Sequence, residues 1–278
     1  MTELVAFPGR HQRLSDEIFR STTRRPDRIT VRDRSRSRTL RGVRNQPVLL
    51  VHGFASSFAL NWERNGWVDL LRDAGRDVIS VDLLGHGTAP KSYEPSDYAF
   101  LEDRVLEALP SDGSPVDAVG FSLGAVTLVR AVGRAPERFS RIVVAGIGIG
   151  NMREGDPEPV ARAIEQGLDS ITDAEGEDSH ASRMARAFAQ FAANGTNDPR
   201  ALAACLRRPG GRLTAEQLAA VRAETLVVIG DKDFAGPADP VVEGIAGSKF
   251  VGLRGVDHFG TPQNFGFLDA ALGFLDAI

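Results

Sequence analysis

Cysteine is almost missing from this chain: Cys205 is the only one in 278 residues. An intramolecular disulfide is therefore impossible, and so is a zinc site built on several thiolates. No residues stand at His-x-x-x-His or Cys-x-x-Cys spacing, so no metal is expected. Long apolar runs are also missing. None approaches the roughly 18 residues of a membrane span. Leu4–Phe7 is too short for the apolar part of a signal peptide, and Pro8-Gly9-Arg10 ends it. Arg24-Arg25 is not followed by an apolar stretch, which argues against a twin-arginine export signal. The expectation is a soluble, cytoplasmic protein. There are no internal repeats, and Arg32–Arg38 (RDRSRSR) is the one low-complexity patch.

Lysine is scarce as well. Lys91, Lys232 and Lys249 are the only three of the 33 basic residues, and the rest are arginine. The formal net charge is -4, but residues 1–44 carry twelve Arg against five acids. Arg32, Arg34, Arg36 and Arg38 alternate with other residues, so an extended chain would show them on one face. Such a stripe can meet a polyanion. The favoured reading is a solvated, charged sheet edge that resists aggregation, with no nucleic-acid partner.

Hydrophobic residues make up 42% and charged residues 25%, which is the balance of a soluble globular protein rather than a disordered or fibrous one. The length allows one large domain or two small ones. Short β-branched runs alternate with helical segments. Pro47–Val51, Arg76–Asp82, Val116–Phe121, Arg141–Ile147, Thr225–Gly230 and Lys249–Leu253 read as strands. Most lack polar alternation, as expected of strands covered on both faces. Asn61–Asp73, Asp97–Leu109, Leu123–Gly133, Pro240–Ile245 and Phe265–Ala277 read as helices. This alternation predicts an α/β fold with a mostly parallel sheet flanked by helices. One interval, 148–224, is far longer than a crossover needs. Ala-rich helical patterning at 159–168, 181–193, 199–207 and 214–222, with a polar loop at Glu175–Ser179, makes it a helical insertion. The predicted division is a core of 1–147 with 225–278, interrupted by a helical cap at 148–224.

Gly120-Phe121-Ser122-Leu123-Gly124 fits G-x-S-x-G. By itself this pattern is weak, but it follows an apolar strand and opens a helix, which is the setting the chemistry requires. A tight turn there strains the backbone at Ser122, lifts its hydroxyl clear of the sheet and places it at a helix N-terminus. The flanking glycines remove Cβ atoms that would clash. The plain alternative is a serine N-cap at an ordinary strand–helix junction.

A serine hydroxyl needs a base. Of the five histidines, His52, His86 and His258 follow strands, where ligands of parallel sheets bind. The chain order Ser…Asp…His selects His258. Asp231 and Asp233 compete as the acid that orients it, and spacing alone does not choose between them.

These residues together resemble the α/β-hydrolase-fold serine hydrolases, over about residues 25–278. Val48–Phe54 resembles that family's strand ending in His-Gly, and Asp82-Leu83-Leu84-Gly85-His86-Gly87 its D-x-x-G-x-G loop. Gly120–Gly124 resembles the nucleophile elbow, and His258-Phe259 the terminal His-Phe. Gly230-x-x-Asp233 resembles the acid loop, which favours Asp233 over Asp231. The resemblance implies a triad of Ser122, Asp233 and His258, with an oxyanion hole formed by the backbone N–H groups of Phe54 and Leu123. Two positions depart from the family pattern. Asp257 stands before the base where a small residue is usual, and Ala125 follows the elbow where a second Gly is common.

A serine at the elbow counts against relatives that use aspartate, the epoxide hydrolases and haloalkane dehalogenases. The expected function is hydrolysis of a small carboxylic ester through an acyl-enzyme, with no cofactor. The alternatives are a lactonase, a thioesterase, a C–C bond hydrolase, a cofactor-free perhydrolase, or a slow-turnover binding protein on a hydrolase scaffold. Met184, Phe188 and Phe191 recur at i, i+4, i+7 and are candidate linings for an apolar part of the substrate, or else the insertion's own core. Trp62 and Trp67 are similarly ambiguous. The expected state is a monomer or homodimer.

Overall fold

In the computed structural model, residues 46–171 and 179–278 are described, and all of them belong to one unit spanning Val43–Ile278. The Arg32–Arg38 patch and most of the Glu175–Ser179 loop lie outside the described residues.

Six parallel strands form the sheet: β1 (Val48–Val51), β2 (Val78–Val81), β3 (Val116–Phe121), β4 (Phe139–Ala145), β5 (Glu224–Gly230) and β6 (Lys249–Leu253). Their order is β2-β1-β3-β4-β5-β6. The chain steps outward from β1 to β2, then returns past β1 to β3. That reversal opens a crevice beyond the carboxyl ends of β1 and β3, the place where open parallel sheets bind ligands.

Strand residues alternate between two buried clusters because successive side chains point to opposite faces. Leu49, Val51, Ala118, Ile142, Val144, Val227 and Ile229 enter one cluster, where α3 (Leu123–Arg134) packs. Val48, Leu50, Val119, Phe121, Val143, Val228 and Leu253 enter the other, against α1 (Trp67–Asp73) and α9 (Phe265–Phe274). Trp62 and Trp67 are fully buried in that second cluster, 5.0 Å apart, and the Trp67 indole N–H donates to Pro262 O. Both tryptophans are core residues.

The predicted strands are present with shifted ends. The fourth starts at Phe139 and stops at Ala145, because Gly146 takes a left-handed φ of 66° that no strand can continue through. The predicted helix Asn61–Asp73 is two pieces. A π-helical turn at Ala59–Glu63 precedes α1, and Gly66 at φ 77° divides them. Asp97–Leu109 likewise divides into a 3-10 turn at Pro95–Tyr98 and α2 (Glu102–Glu107).

Between β4 and β5 run α4 (Glu158–Gln166), α5 (His180–Ala193), α6 (Pro199–Leu206) and α7 (Ala215–Ala219). α5 is capped by Ser179, α6 by Asp198 and α7 by Thr214, each accepting a backbone N–H of the first turn. α8 (Asp239–Gly244) lies between β5 and β6, and α9 follows β6. Among the described residues no helix is long and apolar enough to cross a membrane.

Candidate active site

β3 ends in a strained turn. Ser122 has φ 53° and ψ -116°, and its side chain caps no helix N–H. The N-cap reading therefore fails: the backbone pays about 1–3 kcal/mol of strain without gaining a cap. The strain is held from both sides, since Ser122 N donates to Ala145 O at 2.8 Å and Ser122 O accepts from Val126 N at 3.0 Å. A Cβ on Gly124 would sit 2.3 Å from Val51 O and 2.5 Å from His52 O. A Cβ on Gly120 would sit 2.7 Å from Gly124 O. Both glycines of the motif are thus required by backbone packing against β1 and within the turn itself.

The Ser122 hydroxyl lies 2.9 Å from His258 Nε2. On the other side of the ring, Nδ1 lies 2.9 Å from both Asp233 Oδ1 and Oδ2. A carboxylate beside Nδ1 holds the proton there, which leaves Nε2 as the acceptor facing the serine. Asp233 and His258 are both buried. Asp233 Oδ1 also accepts Ala235 N at 2.8 Å, which fixes the carboxylate plane.

The competition between the two aspartates is decided here. Asp231 is exposed, and its Oδ1 accepts Gly255 N at 2.7 Å. It closes the turn after β6 and stands apart from the imidazole pair. Asp257, the unusual neighbour of His258, is also a turn residue, accepting Gly260 N at 2.8 Å. A Cβ at Gly230 would lie 2.0 Å from Val256 O, so the loops carrying Asp233 and His258 touch backbone to backbone. The rings of Phe234 (4.3 Å), Phe121 (4.9 Å) and Phe259 (5.7 Å) surround the imidazole.

The other two strand-end histidines are braces. His52 Nδ1 donates to Gly53 O, and its Nε2 accepts Leu83 N, which joins the loops after β1 and β2. His86 Nδ1 donates to Leu84 O. Both rings are fully buried, and desolvation holds both below the usual histidine pKa, His86 down to about 3. The consequence for stability has a definite sign. Between about 3 and 6.5 the unfolded chain binds a proton at His86 that the folded chain refuses, so stability is lost as pH falls through that window. Urea unfolding at pH 7.5 and 5.5 should show a loss of about 1 kcal/mol from this one group, and His86→Gln should flatten the slope.

The backbone N–H groups of Phe54 and Leu123 donate to no protein acceptor among the described residues. Both residues stand beside Ser122 on the wall of one small cavity. The peptide before Phe54 is fixed by Gly53 N donating to Asn61 Oδ1 at 3.1 Å, from the π-helical turn. Asn197 was not anticipated from sequence. From the loop before α6 its Nδ2 donates to Ala55 O and Ser56 O, both at 2.9 Å, and its Oδ1 accepts Gly87 N at 2.7 Å. In the sequence, Asn197-Asp198-Pro199 marks only the start of α6, with Asp198 as its cap.

A cavity of about 300 Å³ opens over Ser122 and His258. Phe54, Phe121, Phe188, Phe191 and Phe259 line it. Phe188 sits at the centre of this cluster, with its ring 5.9 Å from Phe54 and 5.4 Å from Phe259. Met184 is not among the lining residues. It is one turn further back on α5, so of the three expected lining residues the cavity wall holds Phe188 and Phe191.

Comparison with known proteins places these residues in context. Residues 48–271 match the family described as the alpha/beta hydrolase family. The chain is 32% identical over 118 residues to the dihydrolipoyllysine-residue acetyltransferase component of the acetoin cleaving system of Pseudomonas putida, covering 42% of this chain and 31% of that one. It is 30% identical over 123 residues to the 2-hydroxy-6-oxononadienedioate/2-hydroxy-6-oxononatrienedioate hydrolase of Escherichia coli K12, covering 42% of each. The matches therefore span less than half the length of these curated relatives. Among solved structures, bromoperoxidase from Bacillus anthracis superimposes with a TM-score of 0.62 at 21% identity, over 84% of this chain and 92% of that one. With its parallel sheet, its strained serine turn and a family match running from the first strand into the last helix, the chain belongs to the alpha/beta hydrolase family.

Proposed function

We propose that the protein is a serine hydrolase that cleaves a small carboxylic ester with an apolar portion. The carrying observation is the contact of Ser122 Oγ with His258 Nε2 at 2.9 Å, with Asp233 on the opposite ring nitrogen. His258 takes the hydroxyl proton as Ser122 Oγ attacks the ester carbonyl carbon. The carbonyl electron pair moves onto oxygen, which the N–H groups of Phe54 and Leu123 stabilise; one such donor is worth about 3–4 kcal/mol. Collapse of the tetrahedral intermediate breaks the bond to the alkoxy oxygen, which leaves with the proton from His258. Water then adds to the acyl-enzyme with His258 as base, and the carboxylic acid departs as Ser122 regains its proton. Asp233 stays ionised and stabilises the imidazolium at each stage. The helical interval 148–224 serves as a cap, and its Phe188 and Phe191 contact the apolar portion.

The Escherichia coli relative, by its printed name a hydrolase of an oxo-dienedioate, supports a second reading as a C–C bond hydrolase using the same residues. A fluorophosphonate probe distinguishes an active serine from an inert scaffold. Covalent labelling of the folded protein, abolished in Ser122→Ala, is the expected result. An unlabelled wild-type protein with intact circular dichroism would overturn the proposal. Turnover of a p-nitrophenyl ester series, set against a 2-hydroxy-6-oxo-dienoate, separates the two substrate classes.

A further inference from the structure

Ser122 is on the wall of two cavities. Beside the aromatic one is a smaller cavity of about 120 Å³ that shares Phe54 and Phe188 with it and adds two polar side chains, Asn151 and Arg208. It shares Asn151, Leu206, Arg208 and Gly211 with a groove that opens outward, so a path runs from solvent past Arg208 to the serine.

Arg208 lies just beyond the end of α6, and its guanidinium lacks an acid. Only Cys205 holds it among the described residues, through Nη1 to Cys205 O at 2.7 Å and to Cys205 Sγ at 3.9 Å. Its Nε is buried with no acceptor. Among the described residues no carboxylate stands within ion-pair distance of it, whereas its neighbour Arg207 is paired with both Glu158 and Glu165. Glu154, which lines the outer groove, is already taken by Arg212 at 2.9 Å. A second guanidinium adds to the positive field. Arg130 reaches across from α3 and donates through Nη2 to Gly210 O and Arg212 O, which fixes the loop carrying Gly211.

Burying part of a cation without its counter-charge is costly unless a ligand supplies it. A planar guanidinium fork fits a carboxylate through two parallel hydrogen bonds. We propose that Arg208 and the smaller cavity form an anion subsite for a substrate carboxylate, so that the favoured substrate is a half-ester of a dicarboxylic acid. The reacting carbonyl sits at Ser122, the free carboxylate at Arg208 and the apolar portion among the phenylalanines. The substrate assignment rests on the serine hydrolase reading, but the subsite is measurable without turnover.

The test is calorimetric titration of Ser122→Ala with monomethyl adipate and with dimethyl adipate, at low ionic strength. The half-ester should bind at least tenfold more tightly. In Ser122→Ala/Arg208→Met, which keeps the apolar stem, that preference should fall below threefold. Arg153→Met removes a groove arginine outside the small cavity and should keep the preference. Should Arg208→Met not fold by circular dichroism, Arg208→Lys keeps the charge but loses the fork, and should retain less than a third of the preference. Equal affinities of the parent for the two esters, or a preference that survives both Arg208 substitutions, would overturn the subsite. Fluorophosphonate labelling reports separately on the hydrolase reading. Labelling without anion preference removes the subsite alone, and anion preference without labelling removes the hydrolase reading alone.

Discussion

Asp233→Asn should lower kcat on the protein's best ester by a factor on the order of 10⁴ while leaving the fold intact. The loss follows from the direction of one hydrogen bond. As a carboxylate, Asp233 can only accept, and both of its oxygens stand 2.9 Å from His258 Nδ1. The imidazole must keep its proton on Nδ1, so the lone pair at Nε2 faces Ser122 Oγ. Asparagine can keep the bond from Ala235 N to Oδ1, and that bond turns its NH₂ toward the ring. The NH₂ donates, so the imidazole proton moves to Nε2 and the base is occupied. The imidazolium formed during attack also loses its counter-charge. KM should change no more than a few-fold, because Asp233 is buried behind the ring, away from substrate. Steady-state kinetics with a p-nitrophenyl ester checks this, with fluorophosphonate labelling expected to slow in parallel. A loss of less than tenfold would show that Asp233 does not orient the base.

The largest stability effect should come from the other end of the sheet. Arg76 and Asp117 form an ion pair at 2.6 Å with both side chains fully buried. Arg76 also donates to Gln46 O and to Leu275 O, which ties the edge of the sheet to the chain's last turn. Asp117 Oδ1 accepts Arg141 N from β4. Asp117→Ala leaves a guanidinium in the interior with carbonyls alone, and should cost about 3–5 kcal/mol, on the order of 10 °C in Tm. Arg76→Met should cost a similar amount at pH 8. Burial pushes the Asp117 carboxyl above its usual range even with the arginine present. A raised folded-state pKa means that the folded chain takes up a proton before the unfolded chain does, so stability of Arg76→Met should recover as pH is lowered toward 5. The double substitution should be less damaging than the two single losses added together. Urea unfolding of the four proteins at pH 8 and 5 measures each term.

Much of the architecture is readable from short-range pattern. The strands announce themselves because both faces of the sheet are covered, which removes polar alternation and leaves runs such as Val48–Val51 and Thr225–Ile229. The serine turn is legible because its glycines answer to backbone collisions, Gly120 with the turn itself and Gly124 with the end of β1. What escapes is whatever depends on contact between distant segments. Asp231 and Asp233 occupy the same acid loop; spacing does not separate them, the family resemblance favours Asp233, and the approach of Gly255 N to one and His258 to the other shows the physical difference. The break in Asn61–Asp73 hangs on one glycine that an amphipathic pattern tolerates without complaint. Met184 matches Phe188 and Phe191 in helical phase, but phase fixes a direction around an axis and says nothing of position along it. Asn197 has no local signature for its role, since its partners Ala55, Ser56 and Gly87 lie more than a hundred residues away.

Asn197 also bears on how the segment between β4 and β5 can be re-engineered. As four short helices between two strands, this segment has the form of an exchangeable module. Yet one of its side chains satisfies three backbone groups belonging to the loops after β1 and β2. A transplanted module without an amide at that place would strand two carbonyls and one N–H in those loops, each such buried polar group costing about 1–3 kcal/mol. Chimeras should therefore be cut so that residues 196–198 stay with the recipient, and the exchange confined to the helices on either side.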